Sequence, residues 1–544
     1  LIDELLKKIE LAFPEDQAAV HELVDAYRDQ DLLVSIGRSL ISEHDIGTLL
    51  RLILNTSREI TGADAGSIFL VEGSGDDTRL RFKYSQTYSR KLDYEEFTMP
   101  RDTSSIAGYV AITGRTLNVD DAYLLDSSYP FKFNPRFDEA YGYRTRSMLV
   151  VPMRNHVGDV IGVLQLINSK EGVLDDKIPA HLVPLYEPED FEQKVRPFKK
   201  RYANLMESVA SQAAIAIENS RMLARIKEQF ESFVRAAVFA VESRDPATSG
   251  HSERVARMAI SLAKAVSESR EGPYAPKEYA PTDLRQIEYA GLLHDFGKVY
   301  IDPQVFLKAK KLYPRDFELL MMRLKFLYRS VELGYDRLLR EASPEARDGL
   351  ERDLARDASR LEEVMTLVTM LNEPQPTDKD PEEVVGSLSS EDARSPFFSD
   401  IDGSPVPMLT SDEAKNLRIR RGSLNEEERK IIQEHVTHTY NFVSKIPWPD
   451  EFRDIPEIAW AHHEMLDGSG YPRGLKGDEI RLEARMLAIC DVFDALVASD
   501  RPYKRALPFD TARSILEGDA RSGKLDAELV AIFFARECWK ASAP

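Results

Sequence analysis

The hydrophobic period of this chain changes twice, and each change marks a boundary that the fold must respect. From Leu1 to about Glu59 apolar residues fall at helical spacing, as in Leu49-Leu50, Leu52-Ile53 and Ile60. Thr61-Gly62-Ala63-Asp64 punctuates that pattern, and Ala65-Gly66-Ser67-Ile68-Phe69-Leu70-Val71 reads as a strand. Further strands are predicted over residues 80–84, 116–119, 147–153 and 160–167. Asn155-His156-Val157-Gly158-Asp159 forms a hairpin-like turn between the last two. Ser105-Ile106-Ala107-Gly108-Tyr109-Val110-Ala111 reads as a short helix. After Val241 the pattern is mostly helical to the end. The expectation is an α+β domain with an antiparallel sheet, followed by an all-α domain.

At 544 residues the chain is too long for one ordinary domain, and about two to four units are expected. Its net charge of -20 argues against a general DNA or RNA binder, which needs a basic surface, but leaves room for a small anionic ligand. No apolar run approaches the ~18 residues that a membrane span needs. The start, Leu1-Ile2-Asp3-Glu4, lacks the basic-then-apolar pattern of a secretory signal. It also lacks an initiator Met, which leaves room for upstream residues in a longer parent chain. Cys490 and Cys538 make no spacing motif and are read as free thiols, which fits a reducing cytoplasm.

Val209, Ala213, Ala216, Ser220, Leu223, Phe230, Val234 and Ala237 recur in alternating steps of four and three, interrupted by Lys227. Such a seam suggests a parallel coiled coil and a homodimer; one long helix packed on its own domains is the competing reading. Leu307 to about Gly422 holds two helical stretches, 317–339 and 346–371. A Pro/Asp/Ser-rich run, Asn372 to Pro407, then reads as a weakly ordered surface loop. The whole of 307–422 is treated as an insertion; it has no histidine and can add no imidazole to a site.

Six of the ten histidines follow Gly250: His251, His294, His435, His438, His462 and His463. His294-Asp295 ends an apolar helical stretch, and consecutive His and Asp there can reach one metal centre. Asp491 follows another such stretch. Mixed imidazole and carboxylate ligation suits Fe, Mn or Zn more than Ca or Mg. A carboxylate can bridge two metals, and a metal pair about 3.5–4 Å apart can activate a bridging hydroxide and hold the phosphate that it attacks.

Two resemblances emerge from these pieces. Residues from about Gln30 to Met222 resemble a GAF domain. The carriers are Thr61-Gly62-Ala63-Asp64, Ile106-Ala107-Gly108-Tyr109-Val110, Ser147-Met148-Leu149-Val150-Val151-Pro152-Met153, Gln165-Leu166-Ile167-Asn168 and the exit helix around Ala213-Ala214-Ile215. Asn168 is followed by Ser169 and an insertion from Glu171 to about Asp190, a departure from cyclic-nucleotide-binding GAF domains. The segment has no cysteine for a thioether-linked bilin. Its ligand is left unassigned.

Residues from about Ser243 to Ala506 resemble the HD-GYP phosphodiesterases. The carriers are His251-Ser252-Glu253-Arg254-Val255-Ala256, Leu293-His294-Asp295-Phe296-Gly297-Lys298, Glu434-His435-Val436, the run His462 to Pro472, Asp491-Val492-Phe493-Asp494 and Arg501-Pro502-Tyr503-Lys504. The organisation this implies is an N-terminal helical segment (1–29), a GAF domain (30–205), a signalling helix (206–242) and an HD-GYP domain (243–544).

The HD-GYP resemblance implies hydrolysis of cyclic di-GMP to linear pGpG, with pGpG or GMP as the end product. The alternatives are a non-catalytic cyclic di-GMP or partner receptor, and a hydrolase of another cyclic dinucleotide such as cyclic GMP-AMP. Implied metal ligands are His251, His294, Asp295, His435, His462, His463 and Asp491, with Asp295 bridging. Lys298 would lie beside the leaving oxygen, and Asp494 would orient Lys298. Arg501 and Lys504 would bind phosphate oxygens. Gly470, Tyr471 and Pro472 would shape the substrate loop. A partner protein would dock on that loop or on the insertion.

Some family members hold a third metal through a Glu where this chain has Ala247, so a dinuclear Fe or Mn centre is expected. His438, three residues after His435, is expected to pack beside the ligands rather than join them. Glu464 is expected to partner an imidazole, and Arg505 to be an exposed helix-end charge.

Overall fold

The computed structural model describes residues 17–73, 75–90, 96–170, 178–243, 250–389, 396–400, 402–498 and 506–542. The expectations for residues 1–16, Ala247, Arg501, Lys504 and Arg505 fall outside the described residues. The chain divides into two compact units, up to Gln229 and from Phe230 onward.

The first unit is an α+β domain around one six-stranded antiparallel sheet. Its strands are β1 (Ala63–Glu72), β2 (Arg79–Thr87), β3 (Thr98–Pro100), β4 (Leu117–Val119), β5 (Met148–Arg154) and β6 (Val160–Ser169), in the order β3-β2-β1-β6-β5-β4. The period of two decides which face each residue serves. Ile68 and Leu70 point to one face and pack with Leu49, Ile53 and Leu54 of helix Ile46–Thr61 and with Val209, Ala213 and Ile217. Phe69, between them, packs on the other face with Val110, Met148, Val150 and Val163. The helix before β1 is closed at both ends: Asp45 accepts from Thr48 N at 2.8 Å, and Gly62 takes the left-handed conformation that a Cβ disfavours. β3 was absent from the expected strands. It has three residues and no alternation long enough to read.

Helix Lys200–Glu242 runs unbroken from the first unit into the second. The expected coiled-coil seam is largely turned inward. Val209, Ala213 and Ala216 belong to the core beneath the sheet, while Phe230, Val234 and Ala237 belong to the core of the second unit. A helix that must cover two cores spends its apolar stripe on them. Ile215, Met222, Ile226 and Phe233 are exposed instead.

The second unit is helical. Val255, Met258 and Leu262 of helix His251–Glu268 pack with Ile287 and Leu293 of Pro281–Leu293, Ile455 and Ile458 of Ile455–Trp460, and Leu487 and Phe493 of Leu482–Val497. The insertion builds a core of its own. Helices Pro314–Glu341 and Pro344–Leu371 meet through Leu320, Leu324, Leu327, Val331, Leu361, Val364 and Val368. The reading of 372–407 as a surface loop is corrected in part. Pro381–Ser389 is a helix with Val385 and Leu388 buried, and Phe398 is buried too. These few apolar residues in a polar run pack on the two long helices. Gly334 leaves room for the Phe397 ring, which a Cβ at that position would overlap.

Candidate metal centre

Five α-helices and one 3-10 turn deliver the histidines and carboxylates to one place. His251 is the first residue of its helix, His294 caps Pro281–Leu293, and Asp295 opens the short 3-10 turn Phe296–Tyr300. His435 opens helix His435–Val443, His462 and His463 follow Ile455–Trp460, and Asp491 lies in Leu482–Val497. The segments are locked by small contacts. Thr439 Oγ1 donates to His294 O at 2.9 Å and accepts from Gly297 N at 2.8 Å. Gly297 is required there, because a Cβ would run into the His435 carbonyl.

Three imidazoles share one hydrogen-bond design. Nδ1 of His294 faces Gly291 O at 2.6 Å, Nδ1 of His435 faces Ile432 O at 2.6 Å, and Nδ1 of His462 faces Ala459 O at 2.7 Å. A carbonyl can only accept, so each Nδ1 carries the proton and each Nε2 presents a lone pair. All three Nε2 atoms are buried and have no hydrogen-bond partner. Such orphaned acceptors are costly unless something binds them, and carbonyl-fixed imidazoles with free Nε2 atoms are what a metal requires.

Donor atoms fall into clusters tight enough for a metal ion: His251, His294 and Asp491; His435, His462 and His463; and His294, Asp295 and His462. Asp295 lies between the first two. Its Oδ2 is 3.5 Å from His294 Nε2 and 3.7 Å from His251 Nε2, while its Oδ1 is 3.3 Å from His435 Nε2. Asp491 Oδ1 is 3.1 Å from His251 Nε2, and its Oδ2 is 3.7 Å from His463 Nδ1. The residues present therefore fit a pair of ions with carboxylates reaching both.

The electrostatics divide the imidazoles of this set. Burial holds His294 below its usual range, His462 well below it, and His463 down to about 3, so these rings stay neutral. Burial also acts on His251, but hydrogen bonds with Asp491 and Asp494 overcome it and raise the ring to about 9. Burial works against ionised Asp295 as well; the Lys298 charge leads the influences that outweigh it and hold the carboxyl well below the usual range.

The remaining sequence candidates are placed as follows. Lys298 Nζ donates to Asp295 Oδ2 at 2.6 Å. The expectation that Asp494 orients Lys298 is corrected: Asp494 faces His251 Nδ1 at 2.7 Å and accepts from Arg254 at 2.7 and 2.9 Å. Asp494 sits three residues after Asp491, one helical turn along, which directs it at the back of His251. The Tyr471 ring lies 4.8 Å from the His463 ring. Gly470 has no space for a Cβ, because the His463 carbonyl and the Met465 nitrogen occupy it.

Glu464 does not partner an imidazole. It accepts from Arg473 N at 2.8 Å and Leu475 N at 2.9 Å and so holds the loop around Gly470-Tyr471-Pro472. His438 stacks on Tyr300 with ring centroids 5.1 Å apart, away from the clusters. Arg254 and Thr439 went unassigned in the sequence. Both carried a signal, lying three and four residues from a histidine on the same helix.

A second cavity, of about 350 Å³, opens on the sheet of the first unit. Phe69, Phe82, Phe133, Phe137, Tyr141 and Tyr143 surround it, with Thr87, Asn134 and Gln165 as polar groups. Asp138 is the one charged residue in its lining among the described residues, and its oxygens already accept from Thr145 N, Thr145 Oγ1 and the Tyr123 hydroxyl at 2.7, 2.8 and 2.9 Å. Among the described residues, no lysine or arginine is in that lining.

Comparison with known proteins agrees with both units. The family model described as GAF domain matches residues 45–217, and the one described as HD domain matches residues 410–529. The chain thus joins a GAF domain to an HD domain. It is 45% identical over 96 residues to the 3'3'-cGAMP-specific phosphodiesterase 3 of Vibrio cholerae, a match covering 18% of this chain and 20% of that protein. It is 42% identical over 108 residues to the cyclic di-GMP phosphodiesterase response regulator RpfG of Xanthomonas campestris, covering 20% of this chain and 27% of that one. The chain therefore spans less than a third of the length of either relative. Among solved structures, the GAF domain of an Acinetobacter phosphoenolpyruvate-protein phosphotransferase covers 36% of this chain and 98% of its own length, at 15% identity and a TM-score of 0.26. Among the described residues, no helix is long and apolar enough to cross a membrane.

Proposed function

We propose that the second unit is a metal-dependent phosphodiesterase that hydrolyses cyclic di-GMP, with pGpG or GMP as the end product. The observation that carries this reading is the set of three buried, carbonyl-fixed imidazoles with unpartnered Nε2 atoms around Asp295. His251, His294 and Asp491 would hold one ion, and His435, His462 and His463 the other, with Asp295 shared. Fe or Mn suits this nitrogen and oxygen donor set. Bound metal would supply Lewis-acid polarisation of the phosphate and acidify a water.

The chain's own residues then do three things. Lys298, held on Asp295 at 2.6 Å, would give a proton to the leaving oxygen. Glu464 fixes the loop in which Tyr471 can pack on a base. Arg501 and Lys504 lie outside the described residues and are proposed as phosphate contacts from the motif alone.

Hydrolysis of cyclic GMP-AMP is the second reading, favoured by the 45% identity to a relative named for that substrate. Anaerobic purification with metal analysis, then product chromatography on both dinucleotides, tests the pair. Wild type should yield pGpG or GMP and Asp295→Asn should not. Metal-loaded protein that binds cyclic di-GMP without ever cleaving it points to a receptor instead, and the proposal fails.

We further propose that the GAF unit regulates this site. The described lining of its cavity suits a neutral aromatic molecule and, among the described residues, offers a phosphate no cation. Pairing of two chains through Ile215, Met222, Ile226 and Phe233 would give a homodimer. A monomer by sedimentation across the working concentrations sinks that part. Cys490 and Cys538 remain free thiols, which supports a cytoplasmic setting.

A further inference from the structure

Helix His251–Glu268 begins without a cap of its own. Its N-cap residue is Gly250, in the left-handed conformation at φ 68°, with no side chain to satisfy the first amides. The missing acceptor comes from another helix. Glu242, the last residue of helix Lys200–Glu242, accepts from Gly250 N through Oε2 at 2.8 Å and from Ser252 N through Oε1 at 3.2 Å. The two amides flank His251, whose ring is buried against Asp491 and Asp494. Both oxygens of one carboxylate thus fix the backbone on either side of a single imidazole. A negative charge at a helix N-terminus is favourable in its own right.

We propose that Glu242 is a positioning residue for the metal centre: it couples the end of the linker helix to His251. The same helix starts at Lys200 in the GAF unit, so it is one continuous covalent element from the sensory fold to this carboxylate. Fraying or rotating its last turn removes the cap, frees the first turn of the next helix and moves His251. The cluster His435, His462 and His463 has no member on that turn and keeps its geometry. The inference rests on His251 being a metal ligand, but it can be read without substrate.

The test uses full-length protein with Glu242→Ala, Glu242→Gln and Glu242→Asp, and Arg235→Ala as an exposed control two turns upstream. Hydrogen exchange reads the amides of Gly250 and Ser252, and Mn titration with atomic analysis reads occupancy. Glu242→Ala should speed exchange at both amides and weaken one of two Mn ions by about 10–100-fold, the range for lost outer partners of a ligand. The other ion and the melting of the GAF unit should be unchanged. Glu242→Gln should fall between, Glu242→Asp should recover part of the loss, and Arg235→Ala should match wild type. Unchanged exchange with two equally tight Mn ions in Glu242→Ala overturns the proposal. Loss of both ions together with loss of helical signal means a merely structural role and also overturns it. Failure of wild type to cleave any cyclic dinucleotide would refute the activity while leaving these readouts intact.

Discussion

His251 Nδ1 lies 2.7 Å from Asp494 Oδ2, and that carboxylate is clamped from its other side by the two nitrogens of Arg254. Three residues from two helices therefore set the ring plane and tautomer of one candidate ligand. With Asp494 accepting at Nδ1, Nε2 faces Asp491 and Asp295, and the proton it carries in the metal-free ring is the one a metal would displace. Asp494→Asn keeps the size but turns an amide toward either the imidazole or the guanidinium, so one of the two bonds is lost. Metal affinity at this position should fall about 10–100-fold. Arg254→Ala should do less, because Asp494 keeps its bond to His251. Competition titration with a chelating dye ranks the variants, and equal affinity in Asp494→Asn and wild type refutes the assignment.

Metal removal should act on one unit only. Three orphaned Nε2 atoms in the HD unit are the groups a metal would satisfy, and the GAF core contains none of them. Metal at about 100-fold over its dissociation constant adds about 2.7 kcal/mol of stability to the state that binds it. Exhaustive chelation should therefore lower the melting temperature of the HD transition in calorimetry and leave the GAF transition in place. A chelator that shifts both transitions equally, or neither, contradicts this site.

Much of the fold was legible because period alone separates the units. Ile68, Phe69 and Leu70 alternate across a sheet, and Leu49, Ile53 and Leu54 recur along a helix face. The donor residues were legible too, since His294-Asp295 and His462-His463 stand in local motifs. What sequence could not give is direction. Asp494 was read toward Lys298 and points at His251; Glu464 was read toward an imidazole and holds a loop amide. Both errors concern which side of a helix or turn faces a distant segment, a tertiary fact. The linker seam failed for a related reason. Heptad spacing states that a stripe is covered but not by what, and here the cover is the chain's own cores.

Gly297→Ala isolates the local packing of the centre. The glycine lies against the His435 backbone, and its amide donates to Thr439. A methyl group must push the Asp295–Lys298 turn away from helix His435–Val443. Overpacking of this kind costs about 1–3 kcal/mol. The larger effect should be on chemistry, because Asp295 and His435 would separate beyond the present 3.3 Å. The expected result is a folded protein with a modestly lowered melting temperature and turnover reduced by more than tenfold. Wild-type turnover with the lowered melting temperature would show that the turn does not need this contact.

The insertion should be acid-sensitive in a way that traces to one pair. Arg323 reaches Glu413 through both nitrogens at 2.7 Å, joining helix Pro314–Glu341 to Ser411–Leu417. Glu413 is buried, which by itself would raise its carboxyl; Arg323 and the Thr410 amide outweigh burial and lower it below the ordinary 4.5. A carboxylate lowered in the folded state binds fewer protons there than in the unfolded state. Its contribution is therefore complete above the unfolded value near 4.5 and is lost as pH falls through the lower folded value. Hydrogen exchange in both helices should accelerate on acidification through that window. Glu413→Gln should start less protected at neutral pH, since Arg323 is left without its charge partner, and should show a flatter acid response. An identical pH profile in Glu413→Gln assigns the acid sensitivity to other carboxylates and refutes the prediction.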